Sequence, residues 1–234
     1  MATVPTTARP GERGRGERRG RTDWTLARRR MLERLAASGI ADPRVLAAFE
    51  AVPRHALVPE ALRTQAYRDA ALPIGEGQTI SAPGVVAAMT AALELQGGET
   101  VLEVGTGSGY QAAILSRLAA RVISVERVPR LAARARRMLD DLGIVNVLVY
   151  LGDGTLGRRA DAPYDAIVVT AGGPTLPAPL LEQLAPGGRL VGPFGEREEQ
   201  RLLRVRRSQQ GELHEEVIGR CRFVDLIGAH GWLG

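Results

Sequence analysis

The stretch TVLEVGTGSGY, residues 100–110, limits the possible folds more than any other. Its first half is short, β-branched and almost wholly apolar, as expected of a strand covered on both faces. Its second half places glycines at 105, 107 and 109, which lets the backbone turn tightly, and YQAAILSRLA (110–119) then reads as a helix. The alternation continues. RVISVE (121–126) is a second strand, and PRLAARARRMLDDLG (129–143) is a helix opened by proline and closed by glycine. VNVLVYLGD (145–153) and YDAIVVTAG (164–172) are further strands, APLLEQLAPGG (178–188) is a helix, and RLVGPFG (189–195) is a fifth strand. Strands alternating with helices predict an α/β fold, a doubly wound, mostly parallel Rossmann-like sheet. Residues 201–228 carry few helix signals and a turn near Gln210 and Gly211, so they are expected to add antiparallel strands at one edge.

Helices precede the sheet. LARRRMLERLAASG (26–39) sets Leu26, Met31, Leu32 and Leu35 on one stripe, and DPRVLAAFEAVP (42–53) offers Asp42 as cap and Pro43 at the first position. Residues 54–78 read as a long irregular connection, a length that usually signals function. APGVVAAMTAALEL (82–95) is a helix, with Ser81 just ahead of it in the position of a cap.

The formal net charge is +5, but residues 1–22 hold six arginines against two glutamates and so account for +4 of it. That segment is rich in Gly, Pro and Arg and cannot bury enough apolar surface to order itself. Residues 1–23 are expected to be a disordered tail and residues 24–234 a single domain. A weak nucleic-acid or anionic-surface contact is the sharper reading of the tail. All 31 basic residues are arginine, so arginine richness alone says little. The single cysteine, Cys221, cannot form an internal disulfide, which fits a reducing, cytoplasmic compartment. No run is long enough to span a membrane as a helix, so no membrane partner is expected.

The loop after the first strand lies where such sheets bind ligands, at a strand's carboxyl end beside a helix N-terminus. Glu126 closes the second strand about twenty residues on, where a carboxylate can accept hydrogen bonds from ribose hydroxyls. The glycines run E-x-G-x-G-x-G from Glu103, not G-x-G-x-x-G, and no phosphate-cradling G-x-x-x-x-G-K-[ST] occurs. Asp153 ends the third strand in LGDGTLG and reads either as turn chemistry or as a ligand contact. There is no cysteine cluster, no His pair at metal spacing and no Ser-His-Asp signature, and no metal is expected.

EVGTGSGY resembles the first motif of S-adenosylmethionine-dependent methyltransferases. The resemblance implies that Glu103, Gly105, Thr106, Gly107, Ser108, Gly109 and Tyr110 form the donor loop, that Glu126 holds the ribose, and that Asp153 with Gly154 meets the adenine. VPRHALVP (52–59), AYRDAALPIGEGQTISAP (66–83), residues 164–195 and RFVDLIGAHGW (222–232) narrow it. With the donor loop they resemble the protein-L-isoaspartate (D-aspartate) O-methyltransferase family over roughly residues 25–232. That implies methyl transfer from S-adenosyl-L-methionine, leaving S-adenosyl-L-homocysteine, to the free carboxylate of L-isoaspartyl residues in damaged proteins or peptides. D-aspartyl residues would be weaker substrates. The ester then closes to a succinimide, which begins repair. Ser81 is the family's active-site serine by motif match, expected with Thr79 to orient the carboxylate. Ile80, Val58, Pro59, Thr170 and Ala171 are expected to border substrate. His55 reads as a structural histidine. A monomer is expected. The family usually has FVPLIG and VTAAA where this chain has FVDLIG, with Asp225, and VTAGG, with Gly172 and Gly173. These departures bear on substrate preference. The rival readings are a methyltransferase acting on RNA, DNA or a small molecule, and a non-catalytic donor- or RNA-binding protein using the tail. VTAGGP lacks the Asn/Asp-Pro-Pro-aromatic pattern of base methylation.

Overall fold

The computed structural model describes residues 23–233; all of the tail expected at residues 1–23 except Asp23, with its nucleic-acid contact, lies outside the described residues, as does Gly234. A seven-stranded sheet forms the centre. Its strands are β3 (Thr100–Val104), β4 (Arg121–Glu126), β5 (Val147–Leu151), β6 (Tyr164–Val169), β7 (Leu184–Gly195), β8 (Gln200–Arg207) and β9 (Leu213–Cys221). They lie in the order β5-β4-β3-β6-β7-β8-β9. The first five are parallel, and β8 and β9 are antiparallel additions at the edge, as the sequence predicts. The chain builds outward from β3 to β5 and then returns to place β6 on the other side of β3. A crevice opens at that reversal, at the strands' carboxyl ends.

Side chains alternate between the two faces. Val101, Val122, Ala166, Val168 and Val191 join the buried cluster built with α1 (Thr25–Ala37), α2 (Pro43–Ala51), α3 (Pro83–Ala92), α4 (Tyr110–Leu115) and α5 (Pro129–Asp141). Leu102, Val104, Ile123, Val125, Ile167 and Val169 face the second cluster, with Leu180 of α6 (Ala178–Glu182) and Leu226. Each such valine, leucine or isoleucine side chain contributes about 1.5–3 kcal/mol when fully buried. A sheet packed on both faces holds its strand ends rigid, which is what a site built on loops requires.

Four features depart from the sequence reading. The connection at 54–78 is not irregular. It forms 3-10 turns at Arg54–Ala56 and Glu60–Gln65 and a hairpin of β1 (Leu72–Gly75) with β2 (Gln78–Ile80). Arg54 organises it from within. It is fully buried, its Nε donates to Ala66 O at 2.7 Å, and its guanidinium lies 4.6 Å over the Tyr110 ring. Second, α6 stops at Glu182. Gln183 bonds Leu156, Pro179 and Arg158 through its side chain, and parallel pairing of Leu184 with Tyr164 overrides the helical pattern that runs on to 188. Third, the edge strands end at Cys221, and residues 222–232 leave the sheet edge and return across the crevice. Fourth, Ser81 is not the cap of α3. The N-cap residue is Ala82, and no side chain of its own caps the helix.

Candidate active site

The crevice is lined by the donor loop and by the segment from β2 into α3. Gly105, Thr106, Gly107, Ser108 and Tyr110 border it, with Glu126, Gly154, Thr170 and Ala171. Thr79, Ile80 and Ser81 line the same cavity, as do residues 223–227. Residues predicted as donor-binding and as catalytic thus meet in one cavity although up to 75 positions separate Thr79 from Gly154 in the chain.

The loop is held by its own backbone. Gly105 has φ +96°, a conformation that side-chain-bearing residues rarely take, and its N–H donates to Val125 O at 2.8 Å. Gly107 N–H donates to Glu126 Oε2 at 2.8 Å, and Val128 N–H donates to Glu126 Oε1 at 2.9 Å. The Glu126 carboxylate therefore joins the loop to the end of β4 and keeps further lone pairs for a ligand's hydroxyls. Gly154 is required for a different reason. A methyl group there would come within 2.5 Å of Val104 Cγ1, so only a bare backbone can pack against β3 at that point.

Glu103 behaves unlike the ligand-facing carboxylate expected of it. It is wholly buried and does not line the cavity. Ser124 Oγ donates to it, and Ser124 in turn shares a 2.5 Å hydrogen bond with Thr106 Oγ1. Burial pushes its pKa up to about 8, against the pull of the Ser124 bond and with the charge of Glu126 adding to the rise. At neutral pH it is a neutral carboxyl group bracing the loop from below. Asp153 is likewise turned to structure. Oδ1 accepts from the N–H and hydroxyl of Thr155 at 2.9 and 2.6 Å, and Oδ2 accepts from Ala229 N–H at 2.7 Å. Burial raises its pKa, but these bonds outweigh it and hold the group below the ordinary range. The side chain ties the returning segment to the end of β5, while its neighbour Gly154 borders the cavity.

On the acceptor side, Thr79 is exposed, Ile80 is buried and Ser81 is half-buried. The Ser81 hydroxyl has no hydrogen-bond partner among the described residues. Thr170 lines the cavity, but its hydroxyl is spent on the carbonyls of Val104 and Gly105 at 2.9 and 2.5 Å. Val58 and Pro59 do not reach the cavity. Val58 is a core residue, and Pro59 opens the 3-10 turn at Glu60–Gln65. His55 is structural as expected. Its Nδ1 lies 2.7 Å from Tyr67 Oη, its ring stacks on Trp24 at 4.9 Å, and burial and the Arg28 and Arg63 charges lower its pKa.

The residues not anticipated in the cavity wall are chiefly apolar: Val86, Met89, Val125, Val128, Phe223 and Leu226. Asp225 lies there too, paired with Arg197 at 3.1 Å, and Arg197 sits 4.6 Å over the Trp232 ring. The returning segment is further pinned at Gly172, which donates to Val224 O, accepts from Leu226 N–H and accepts from Trp232 Nε1–H. A methyl group at Gly172 would come within 2.9 Å of the Gln200 side chain, which gives a steric reason for glycine there.

Comparison with known proteins points the same way. The model of the protein-L-isoaspartate(D-aspartate) O-methyltransferase family matches residues 26–231. The chain is 54% identical over 210 residues to a protein-L-isoaspartate O-methyltransferase of Syntrophus aciditrophicus, covering 88% of this chain and 96% of that one. It is 56% identical over 213 residues to protein-L-isoaspartate O-methyltransferase 1 of Syntrophobacter fumaroxidans, covering 91% and 99%. Among solved structures it is similar to a protein-L-isoaspartate O-methyltransferase with TM-score 0.79 at 29% identity, over 87% of this chain and 67% of that one. A Plasmodium falciparum protein of that description, in complex with S-adenosyl-L-homocysteine, aligns with TM-score 0.74 at 25% identity, over 86% and 98%. With its donor loop and its Thr79-to-Ser81 wall meeting across one crevice, the chain belongs to the protein-L-isoaspartate(D-aspartate) O-methyltransferase family.

Proposed function

We propose that this chain transfers a methyl group from S-adenosyl-L-methionine to the free carboxylate of L-isoaspartyl residues, and less readily of D-aspartyl residues, in damaged proteins or peptides. The observation that carries the reading is the cavity itself, which the donor loop and the Thr79, Ile80 and Ser81 segment line together. The donor's fit is supported by the loop's close backbone approach, by the Glu126 carboxylate beside it, and by Gly154, whose bare Cα leaves the wall open next to Val104. When bound, the donor supplies an electrophilic methyl group on a sulfonium centre and leaves as S-adenosyl-L-homocysteine.

The chain's own task is then positioning. A carboxylate of pKa about 3.9 is already ionised at neutral pH and needs no general base. It needs to be held in line with the methyl group, and the gain from that alignment is entropic. Ser81, half-buried with an uncommitted hydroxyl, is suited to donate one hydrogen bond to the carboxylate, and Thr79 a second. Ile80 and the apolar wall formed by Phe223 and Leu226 exclude water, which strengthens those bonds. The ester so formed closes to a succinimide without further help, as the backbone nitrogen of the following residue attacks the ester carbonyl and methanol leaves.

We place the enzyme in the cytoplasm as a monomer acting on isoaspartyl-containing proteins or peptides. Among the described residues no helix is long and apolar enough to cross a membrane. The test uses labelled donor with an isoaspartyl peptide and its aspartyl twin. Label should enter the first and not the second; equal labelling of both, or of neither, sinks the reading.

A further inference from the structure

We infer that Asp69 is a positioning residue that fixes Ser81, an inference that rests on the orienting role given to Ser81 above. Helix α3 starts at Pro83, and its N-cap, Ala82, has no side chain able to accept a backbone N–H. The acceptor arrives from 15 residues upstream, where Asp69 Oδ1 accepts from Gly84 N–H at 2.8 Å. Three residues beyond Asp69, Leu72 pairs with Ile80 in the β1–β2 hairpin. The same short segment therefore grips the chain on both sides of Ser81, at Ile80 by strand pairing and at Gly84 by a carboxylate.

That segment is anchored in turn. Arg54 donates to Ala66 O at 2.7 Å and to Ala70 O at 3.4 Å, and it packs over Tyr110, the first residue of the helix that follows the donor loop. A connected path thus runs from Tyr110 through Arg54 and residues 66–70 to Asp69, Gly84 and Ser81. It sets the distance between the donor loop and a hydroxyl that has no bond of its own to hold it. Gly84 is matched to the grip. An added methyl group would lie 3.0 Å from both Asp69 carboxylate oxygens, so the carboxylate would have to shift against the N–H it holds.

Gly84→Ala separates positioning from simple helix stability. Alanine is the better helix former by about 1 kcal/mol, which offsets a weakened cap of about the same size, so if the contact serves only the helix, Gly84→Ala should change the melting temperature little and leave turnover intact. If the contact positions Ser81, Asp69→Ala and Gly84→Ala should each lower kcat on an isoaspartyl peptide by roughly ten- to a hundredfold. The Kd for S-adenosylhomocysteine by calorimetry should stay within about twofold, because the donor loop is untouched. Asp69→Asn retains the accepting oxygen and should recover most of the rate. In a Ser81→Ala background, Asp69→Ala should cost little more, since the group it positions is gone. An active wild type with both variants near its rate, or a loss that multiplies in full with that of Ser81→Ala, overturns the role of Asp69 alone. A wild type inactive on the isoaspartyl peptide overturns the functional reading and this role with it.

Discussion

Glu103 offers a measurable consequence of a buried acid beneath the donor loop. Its carboxyl is completely buried and titrates at about 8, against an ordinary value of 4.5. Between those two values the folded chain holds a proton that the unfolded chain has lost. Stability therefore falls as pH rises, by about 1.4 kcal/mol per pH unit. The contribution is whole below pH 4.5 and gone above pH 8. Glu103→Gln keeps the shape and the neutral hydrogen bonding toward Ser124 and removes only the titration. The stability of the variant relative to wild type should then grow by about 2.7 kcal/mol from about pH 5.5 to about pH 7.5. For a domain of this size that is roughly 5–10 °C in relative melting temperature. Thermal melts of the two proteins at both pH values, at matched ionic strength, measure it. Every other titrating group is common to both proteins and cancels in the difference. A variant whose offset from wild type is the same at both pH values would refute the neutral, proton-holding Glu103.

Two further substitutions probe the walls of the cavity. Glu126→Gln turns an amide N–H₂ toward Gly107 N–H or Val128 N–H and gives up charge-assisted bonds of about 1.5–3 kcal/mol, so donor affinity measured by calorimetry should weaken by roughly ten- to a hundredfold; unchanged affinity would remove Glu126 from the donor site. Arg197→Ala releases a half-exposed ion pair to Asp225 and a contact with Trp232, each worth about 0.5–1 kcal/mol at such a site. KM for an isoaspartyl peptide should rise roughly two- to fivefold with kcat nearly unchanged, and added salt should shrink the difference; a fall in kcat alone would show that the returning segment acts on the chemical step.

The parallel sheet was readable because its signals are local. TVLEVG, RVISVE and YDAIVV are short apolar runs bounded by glycine or by a strand-end carboxylate, and the helices between them carry proline and glycine at their ends. The donor loop was readable for the same reason, since one continuous stretch supplies strand, turn and helix. What the sequence does not reveal depends on contacts distant in the chain. No local pattern tells that Arg54 is buried beneath residues 66–70 or that Asp69 reaches Gly84. Glu103 and Asp153 both read as acids of the donor site. The direction of each side chain decides their roles, and one points into the packed interior while the other reaches the returning segment. Val58 had the right company in VPRHALVP but lies in the core. Residues 222–228 read as continued strand because they carry few helix signals, and only their pairing with Gly172 shows that they leave the edge and line the crevice instead.

The measurement closest to the centre of the account is a comparison of Ser81→Ala with wild type, reading kcat on an isoaspartyl peptide and, separately, Kd for S-adenosylhomocysteine. A hydroxyl that only aims the acceptor should cost roughly ten- to a hundredfold in kcat when removed. Donor affinity should stay within about twofold, because the Ser81 hydroxyl bonds nothing in the donor loop and caps no helix. A collapse of donor binding with the loss of rate would place Ser81 in the donor pocket and contradict the division of labour between the two walls.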